Sequence, residues 1–168
     1  MSVNACPRQD LAARAAELIA HIQTAYHDAH RSALARLMDQ AAATEALAKH
    51  ADLVGRLASI GKALEQHMFK EEMRLFPMME QGGNTLIGRL IEDLHREHDE
   101  HLPAVQDLQL QLRSIAESHP TDEVLQHVAE GVDGLARDLA DHIRVEDELL
   151  FPLFHPSSTA VAPAALPS

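Results

Sequence analysis

An all-α fold, an up-down-up-down four-helix bundle, is what this sequence predicts, on three observations. Hydrophobic residues make up 46% of the chain but aromatic ones only 3%, with no Trp, and an apolar content carried largely by Ala and Leu favours helix over strand. Helix-breaking punctuation is sparse and spaced so as to leave four long segments. Within those segments the apolar residues recur at the alternating three-four spacing of a buried helical seam. Long helices joined by short connections lie antiparallel to their neighbours.

The first helix is expected over about 8–41, with His27 and His30 in register with Leu34 and Leu37. The first break falls within "MDQAAATEALAKH", with Thr44 as a cap. The second helix, about 45–80, carries the stripe Leu53, Leu57, Ile60, Leu64, His67 and Glu71. "QGGN" at 81–84 stops it with glycine and offers Asn84 as the next N-cap. The third, about 85–118, runs Ile87, Ile91, Leu94, His98, His101, Val105, Leu108, Leu112 and Ile115. Pro103 removes a hydrogen bond to the Asp99 carbonyl and is expected to kink this helix just beyond His98. "SHPTDE" at 118–123 supplies Pro120, Thr121 and acids for a first turn. The fourth, about 122–154, runs Val128, Val132, Leu135, Leu139, His142, Glu146, Leu149 and Leu153. Pro77 and Pro152 are expected to end or bend their helices. Each rod would be ~50 Å long at ~1.5 Å per residue. One domain is expected over 1–155, followed by a Pro/Ala/Ser-rich disordered tail over 156–168.

The bulk properties exclude several function classes. Net charge is −12 with 12 His counted neutral, so a phosphate backbone is repelled, and aromatic stacking platforms are missing; nucleic acid is not an expected partner. No apolar run is long enough to span a membrane and no signal-peptide pattern is present, so no membrane association is expected. The single Cys6 excludes an internal disulfide framework and fits a reducing cytoplasm. A monomer or weak dimer is expected.

An internal repeat then singles out particular residues. His67, Glu71, Phe76 and Pro77 recur 75 positions later as His142, Glu146, Phe151 and Pro152. "HDAH" at 27–30 recurs 71 positions later as "HDEH" at 98–101. In an antiparallel hairpin, residues equidistant from the turn lie side by side. His67 and His98 are centred on the two glycines of "QGGN", and His98 and His142 on Pro120. His27 and His67 are centred on residue 47, so the first turn must be later or longer than a break at Thr44. The chain therefore stacks four His and two Glu at one level of one core, in slots that packing would give to Leu.

A lone His on an apolar face is more often a satisfied core residue than a ligand, and H-x-x-x-E alone is a common helical pair. Six polar groups at one level are different. Each costs about 1–3 kcal/mol if buried unpaired, against a total stability of about 5–15 kcal/mol. Two adjacent carboxylates also repel, forcing one to hold a proton. A pair of metal ions removes both costs, with each Glu able to bridge. Four N and two bridging O donors without thiolate suit first-row metals, Fe first, with Mn and Zn compatible by ligand chemistry alone. A closed structural zinc site does not explain two bridging Glu. The ferritin-like alternative needs E-x-x-H twice, and the helices supply it once, from Glu92 to His95.

The motifs "YHDAHR", "HMFKEEMRLFPMM", "REHDEH" and "DHIRVEDELLFP", spread over all four helices between about 11 and 154, resemble the hemerythrin-like (HHE cation-binding) domain. They are most similar to its branch in the di-iron proteins for repair of iron centres (RIC), made under nitric-oxide and oxidative stress. The resemblance implies a hemerythrin-like bundle holding two iron ions. It implies His27, His67, Glu71, His98, His142 and Glu146 as ligands, with both Glu as bridges and positions left for an oxo bridge or a small ligand. An oxygen-carrying hemerythrin would show H-x-x-x-H on the third helix and H-x-x-x-x-D on the fourth, where this chain has Leu102 and Glu146. Members of the repair branch usually carry adjacent cysteines in an N-terminal domain, which "MSVNACPRQD" does not match; that domain's contribution is expected to be missing. The function expected is a di-iron protein that binds or responds to NO or O2-derived species and donates iron to an apo iron–sulfur protein. The competing expectations are NO or peroxide reduction at the same site, and oxygen sensing.

Of the remaining polar residues, His30 and His101 are expected near the ligands as outer partners or polar fillers. Glu97 resembles an acidic residue the family places near the site, although an exposed helical acid is the favoured reading. Asp28 and Asp99 are expected to face water, Tyr26 to pack in the core, and His21, His50, His119, His127 and His155 to lie on the surface.

Overall fold

The computed structural model describes residues 7–154, and among these every regular element is helical. The tail read from the sequence, with Cys6 and His155, lies outside the described residues. Helix α1 (7–43) runs as α-helix Pro7–Ile22, a π turn Gln23–His27 and α-helix Asp28–Ala43. Helix α2 (51–80) is α-helix Ala51–Lys70, a π turn Glu71–Leu75 and α-helix Phe76–Glu80. Helix α3, Ile87–Ser118, is unbroken and carries Pro103 inside it. Helix α4 (123–154) is α-helix Glu123–Val145, a π turn Glu146–Leu150 and a 3₁₀ turn Phe151–Phe154. α1 and α3 each pack against both α2 and α4, which closes the up-down-up-down bundle.

The connections follow local chemistry. α2 ends in a Schellman motif: the Gly83 N–H donates to the Met78 carbonyl and the Gly82 N–H to the Met79 carbonyl, both at 2.9 Å. Gly82 and Gly83 have φ of 85° and 77°, a region that costs any residue with a Cβ. Asn84 does not cap α3 as expected; its side chain accepts from the Leu86 N–H at 2.9 Å, in the turn just before the helix begins at Ile87. α4 is capped by Asp122, whose carboxylate accepts from the Leu125 N–H at 2.9 Å. The α1–α2 connection covers 44–50 and contains one helical turn, Glu45–Ala48, so it is longer than a break at Thr44, as the hairpin midpoint at residue 47 requires. Thr44 is buried and makes no cap bond; its hydroxyl donates to Asp122 at 2.8 Å. That bond clasps the α1–α2 connection to the start of α4.

The core is divided. One apolar cluster, including Leu37, Leu57, Leu64, Leu108, Val132 and Leu139, fills the end of the bundle that holds two connections. A second, including Ile19, Ile22, Phe76, Met79, Ile91 and Phe151, fills the opposite end. Between them lies a polar layer.

The seam departs from its expected course in α4. Leu149 is 47% exposed, while Leu150 and Phe151 are buried. The Phe151 N–H bonds back five residues to the Glu146 carbonyl, so the π turn inserts one residue and rotates the following side chains off the 3.6-residue period. The same happens in α2, where Leu75 and Phe76 are both buried beyond Glu71. In both helices a proline stands two residues beyond the π turn, and its ring would collide with the carbonyl four residues back, Met73 or Glu148, which a widened turn relieves. Pro77 thus follows a widened turn and lies three residues before α2 ends at Glu80, and Pro152 lies in the 3₁₀ turn that succeeds the widened turn of α4.

Gly82→Ala places a Cβ at φ 85° and is expected to cost about 1–2 kcal/mol, read as a lower denaturant midpoint at unchanged slope.

Candidate metal centre

All six residues singled out from the sequence lie in the polar layer and are buried: His27, His67, Glu71, His98, His142 and Glu146. The i,i+4 spacing puts His67 with Glu71, and His142 with Glu146, on one inward face of their helices. Three π turns meet this layer. One ends at His27, one begins at Glu71 and one begins at Glu146, in keeping with the association of π bulges with functional sites. They let the helix present a polar group here and return to apolar packing within one turn.

The four imidazoles point their Nε2 atoms at the two carboxylates. His27 and His67 lie 3.3 and 3.4 Å from the two oxygens of Glu71. His98 and His142 each lie 3.1 Å from an oxygen of Glu146, and the Nε2 atoms of His67 and His98 are 3.2 Å apart. The donors fall into two sets of four, His27–Glu71–His142–Glu146 and His67–Glu71–His98–Glu146, each within 4.8 Å of one another. Both carboxylates belong to both sets.

A pair of cations fits this arrangement. Both oxygens of Glu71 and of Glu146, and the Nε2 atoms of His27 and His142, are buried and make no hydrogen bond among the described residues in spite of these short separations. Groups that converge on one another without bonding are costly in a dry interior, at about 1–3 kcal/mol each. Neighbouring ligands held at about 2.1 Å from an octahedral cation are about 3 Å apart, the spacing found.

An outer ring of carboxylates holds three of the four imidazoles from behind. His27 Nδ1 is 2.7 Å from Glu72, His67 Nδ1 is 2.9 Å from Glu97, and His98 Nδ1 is 3.0 Å from Asp147. A carboxylate accepts only, so Nδ1 carries a proton; His27 and His67, held neutral by burial, then face the Nε2 lone pair inward, the tautomer a metal ligand needs, and His98 does so on giving up its second proton. Arg31 braces Glu72 with two bonds of 3.0 and 3.1 Å and also reaches Glu65; Lys70 pairs with Glu97, and His95 with Asp147 at 3.3 Å. His142 Nδ1 has no hydrogen-bond partner among the described residues.

Sequence reasoning missed two of these acceptors and misjudged a third. Glu97 is not an exposed helical acid but 21% exposed and bonded to His67. Glu72 and Asp147 each follow a buried Glu by one position and correspond under the 75-residue repeat; that shared acidic position was the available signal. Asp28 and Asp99 face water as expected. His30 is fully buried with neither ring nitrogen bonded, and His101 is half-buried beside His67 and Glu97. Tyr26 packs its ring on His142, with centroids 5.3 Å apart and planes 10° apart. His21, His119 and His127 are exposed, but His50 is half-buried in the α1–α2 connection, where its carbonyl accepts the first N–H groups of α2.

The layer is electrostatically strained as metal-free protein. Burial, then the neighbouring charge of Glu146, pushes the Glu71 carboxyl well above the usual carboxylate range. Burial also works against the Glu146 charge, but His142 and His98 overcome it and hold that carboxyl well below the usual range. Burial lowers His30 to about 3 and His67 to about 4, with nearby imidazoles adding to the effect. For His98 burial is outweighed by Asp147 and Glu146, which raise it to about 9.

These directions fix the acid response of the metal-free protein. His27, His30 and His67 have depressed pKa values in the fold, so the unfolded chain, with His near 6.5, binds protons first. Glu71 opposes them, because its raised carboxyl holds a proton in the fold that the unfolded chain gives up above 4.5. Three imidazoles against one carboxyl still leave stability expected to fall as pH drops from about 6.5 to about 4. His98 adds no slope there, since its contribution is complete below 6.5 and is lost only as pH rises towards 9. Urea midpoints of chelator-treated protein at pH 7 and pH 5 check this; equal midpoints would contradict it.

The family profile of the hemerythrin HHE cation binding domain matches residues 18–154. The iron-sulfur cluster repair protein YtfE of Escherichia coli (strain K12 / DH10B) is 33% identical over 144 residues, covering 82% of this chain. The protein of the same name from Shigella boydii serotype 18 is similar to the same extent. The chain spans 64% of the length of these relatives. A family match over all four helices, on a bundle with two buried four-donor sets, places the chain in the hemerythrin HHE cation-binding domain family.

Proposed function

We propose that the buried layer holds two iron ions, and that the protein responds through them to a small ligand such as NO or O2 and donates iron for iron–sulfur repair. The observation that carries this reading is the sharing of Glu71 and Glu146 by both four-donor sets. His27 and His142 would serve one ion and His67 and His98 the other, with the two carboxylates spanning both. The bound pair would supply one-electron redox chemistry and affinity for a diatomic ligand. Donor chemistry favours iron: imidazole nitrogens and carboxylate oxygens without thiolate suit first-row metals.

The protein's own part is positional. Glu72, Glu97 and Asp147 fix the imidazole tautomers, and the apolar clusters on either side keep bulk water from the layer. A cavity of about 370 Å³ between α2 and α3 is lined by Lys70, Arg74, Asp93, Arg96, Glu97 and Glu100 among others. Since Glu97 also bonds His67, a chain of polar groups leads from the inner layer to this opening, which supports passage of a cation. The similar repair proteins named above favour release to an apo iron–sulfur protein as the outcome.

Protein purified from iron-replete cells is expected to hold two irons per chain. Glu71→Gln and Glu146→Gln should each lose more iron affinity than the ~10–100-fold that follows loss of an outer partner, measured by metal analysis after dialysis. Unchanged iron in both variants would sink the shared-carboxylate reading. Anaerobic mixing of the iron-loaded protein with NO is expected to give a stable nitrosyl spectrum, and an apo iron–sulfur protein supplied with inorganic sulfide and a thiol reductant, with no other iron, is expected to recover its cluster. Release of N₂O would assign a reductase.

A further inference from the structure

We propose that the two cation positions are unequal by construction: the His67–His98 position fills first and holds tightly, and the His27–His142 position fills second and exchanges. This rests on the two-cation reading above and adds an order to it. The difference comes from one missing member of the outer ring of carboxylates.

The two helix pairs are related by offsets of 71 residues for α1 and α3, and 75 for α2 and α4. His27 corresponds to His98, His67 to His142, Glu71 to Glu146, and Glu72 to Asp147. The outer partners obey the same relation where they exist: Glu72 of α2 backs His27 of α1, and Asp147 of α4 backs His98 of α3. Glu97 of α3 backs His67 of α2. The symmetric arrangement would have residue 26 of α1 back His142 of α4. That residue is Tyr26, which cannot accept as a carboxylate does and lies flat on the His142 ring instead. His142 Nδ1 is left buried and, among the described residues, unbonded.

Both imidazoles of one position are therefore carboxylate-backed, and only one imidazole of the other. A carboxylate on the far nitrogen raises the basicity of a ligating imidazole and fixes its orientation, and its loss typically costs ~10–100-fold in metal affinity. His142 has neither aid from a hydrogen bond; its ring is held by stacking, which orients without adding electron density. Glu97 and Tyr26 are thus positioning residues, acting through His67 and His142.

The chain provides its own reporter, because Tyr26 is its one tyrosine and there is no Trp. Anaerobic titration of the full chain with Co(II) counts bound equivalents by visible absorption and localises them by Tyr26 emission. The expected result is two steps with dissociation constants ~10–100-fold apart, most of the emission change accompanying the second. Glu97→Ala should weaken the first step by ~10–100-fold and leave the second in place, with Glu97→Gln, which keeps an acceptor, recovering part of the loss. Circular dichroism checks that both variants keep their helices. Two equivalents bound with equal affinity, emission that responds wholly to the first equivalent, or equal weakening of both steps by Glu97→Ala would overturn the proposed order while leaving the two-cation reading intact. Binding of fewer than two equivalents by the unsubstituted chain would remove both.

Discussion

The structure depends on one electrostatic constraint: two carboxylates that share a dry layer between four helices cannot both stay ionised unless positive charge lies between them. Glu71 and Glu146 are fully buried, and both belong to each of the two donor sets that the four imidazoles complete. Without added charge the layer compromises, Glu71 driven towards the protonated form and Glu146 held ionised by its histidines. Hydrogen bonding does not rescue it, since among the described residues the oxygens of both lack partners. Other features follow from this demand. The widened turns bring polar groups inward without losing the apolar seam beyond them, and the outer carboxylates keep imidazole lone pairs aimed at the centre. Arg31 and Lys70 in turn hold two of those carboxylates at the rim, where Glu72 and Glu97 stay ionised below the usual range despite partial burial.

Much of this was legible in the sequence, and the reason is periodicity. The bundle follows from helical spacing with few breaks, and hairpin midpoints located three turns, including the longer one centred on residue 47. His67, Glu71, His142 and Glu146 stood out because polar groups occupied seam positions otherwise filled by Leu, twice, with one offset.

What escaped was whatever breaks that period or reaches between helices. Leu149 was assigned inward by counting 3.6 residues per turn, and a π turn placed Leu150 there instead. The repeat contained the correction, since Leu75 and Leu150 are equivalent and both buried. Glu72, Glu97 and Asp147 diverge by roughly 100° from their buried sequence neighbours, which suggests solvent on an isolated helix. In the bundle that direction is the seam with the adjacent rod, where each finds an imidazole of another helix. Thr44 likewise looked like a local cap and turned out to serve a partner 78 residues away.

The division of the apolar interior has a mechanical consequence. One half is tied by two inter-helix connections that are themselves clasped through Thr44 and Asp122. The other is tied by the single Gly82–Gly83 turn, and within the described residues its remaining two helix ends are unjoined. The ions of the proposed pair would rivet these unequal halves at the waist. With the rivet drawn, the loosely tied half would be the one expected to splay, so occupancy of the centre would govern the shape of one end of the rod more than that of the other.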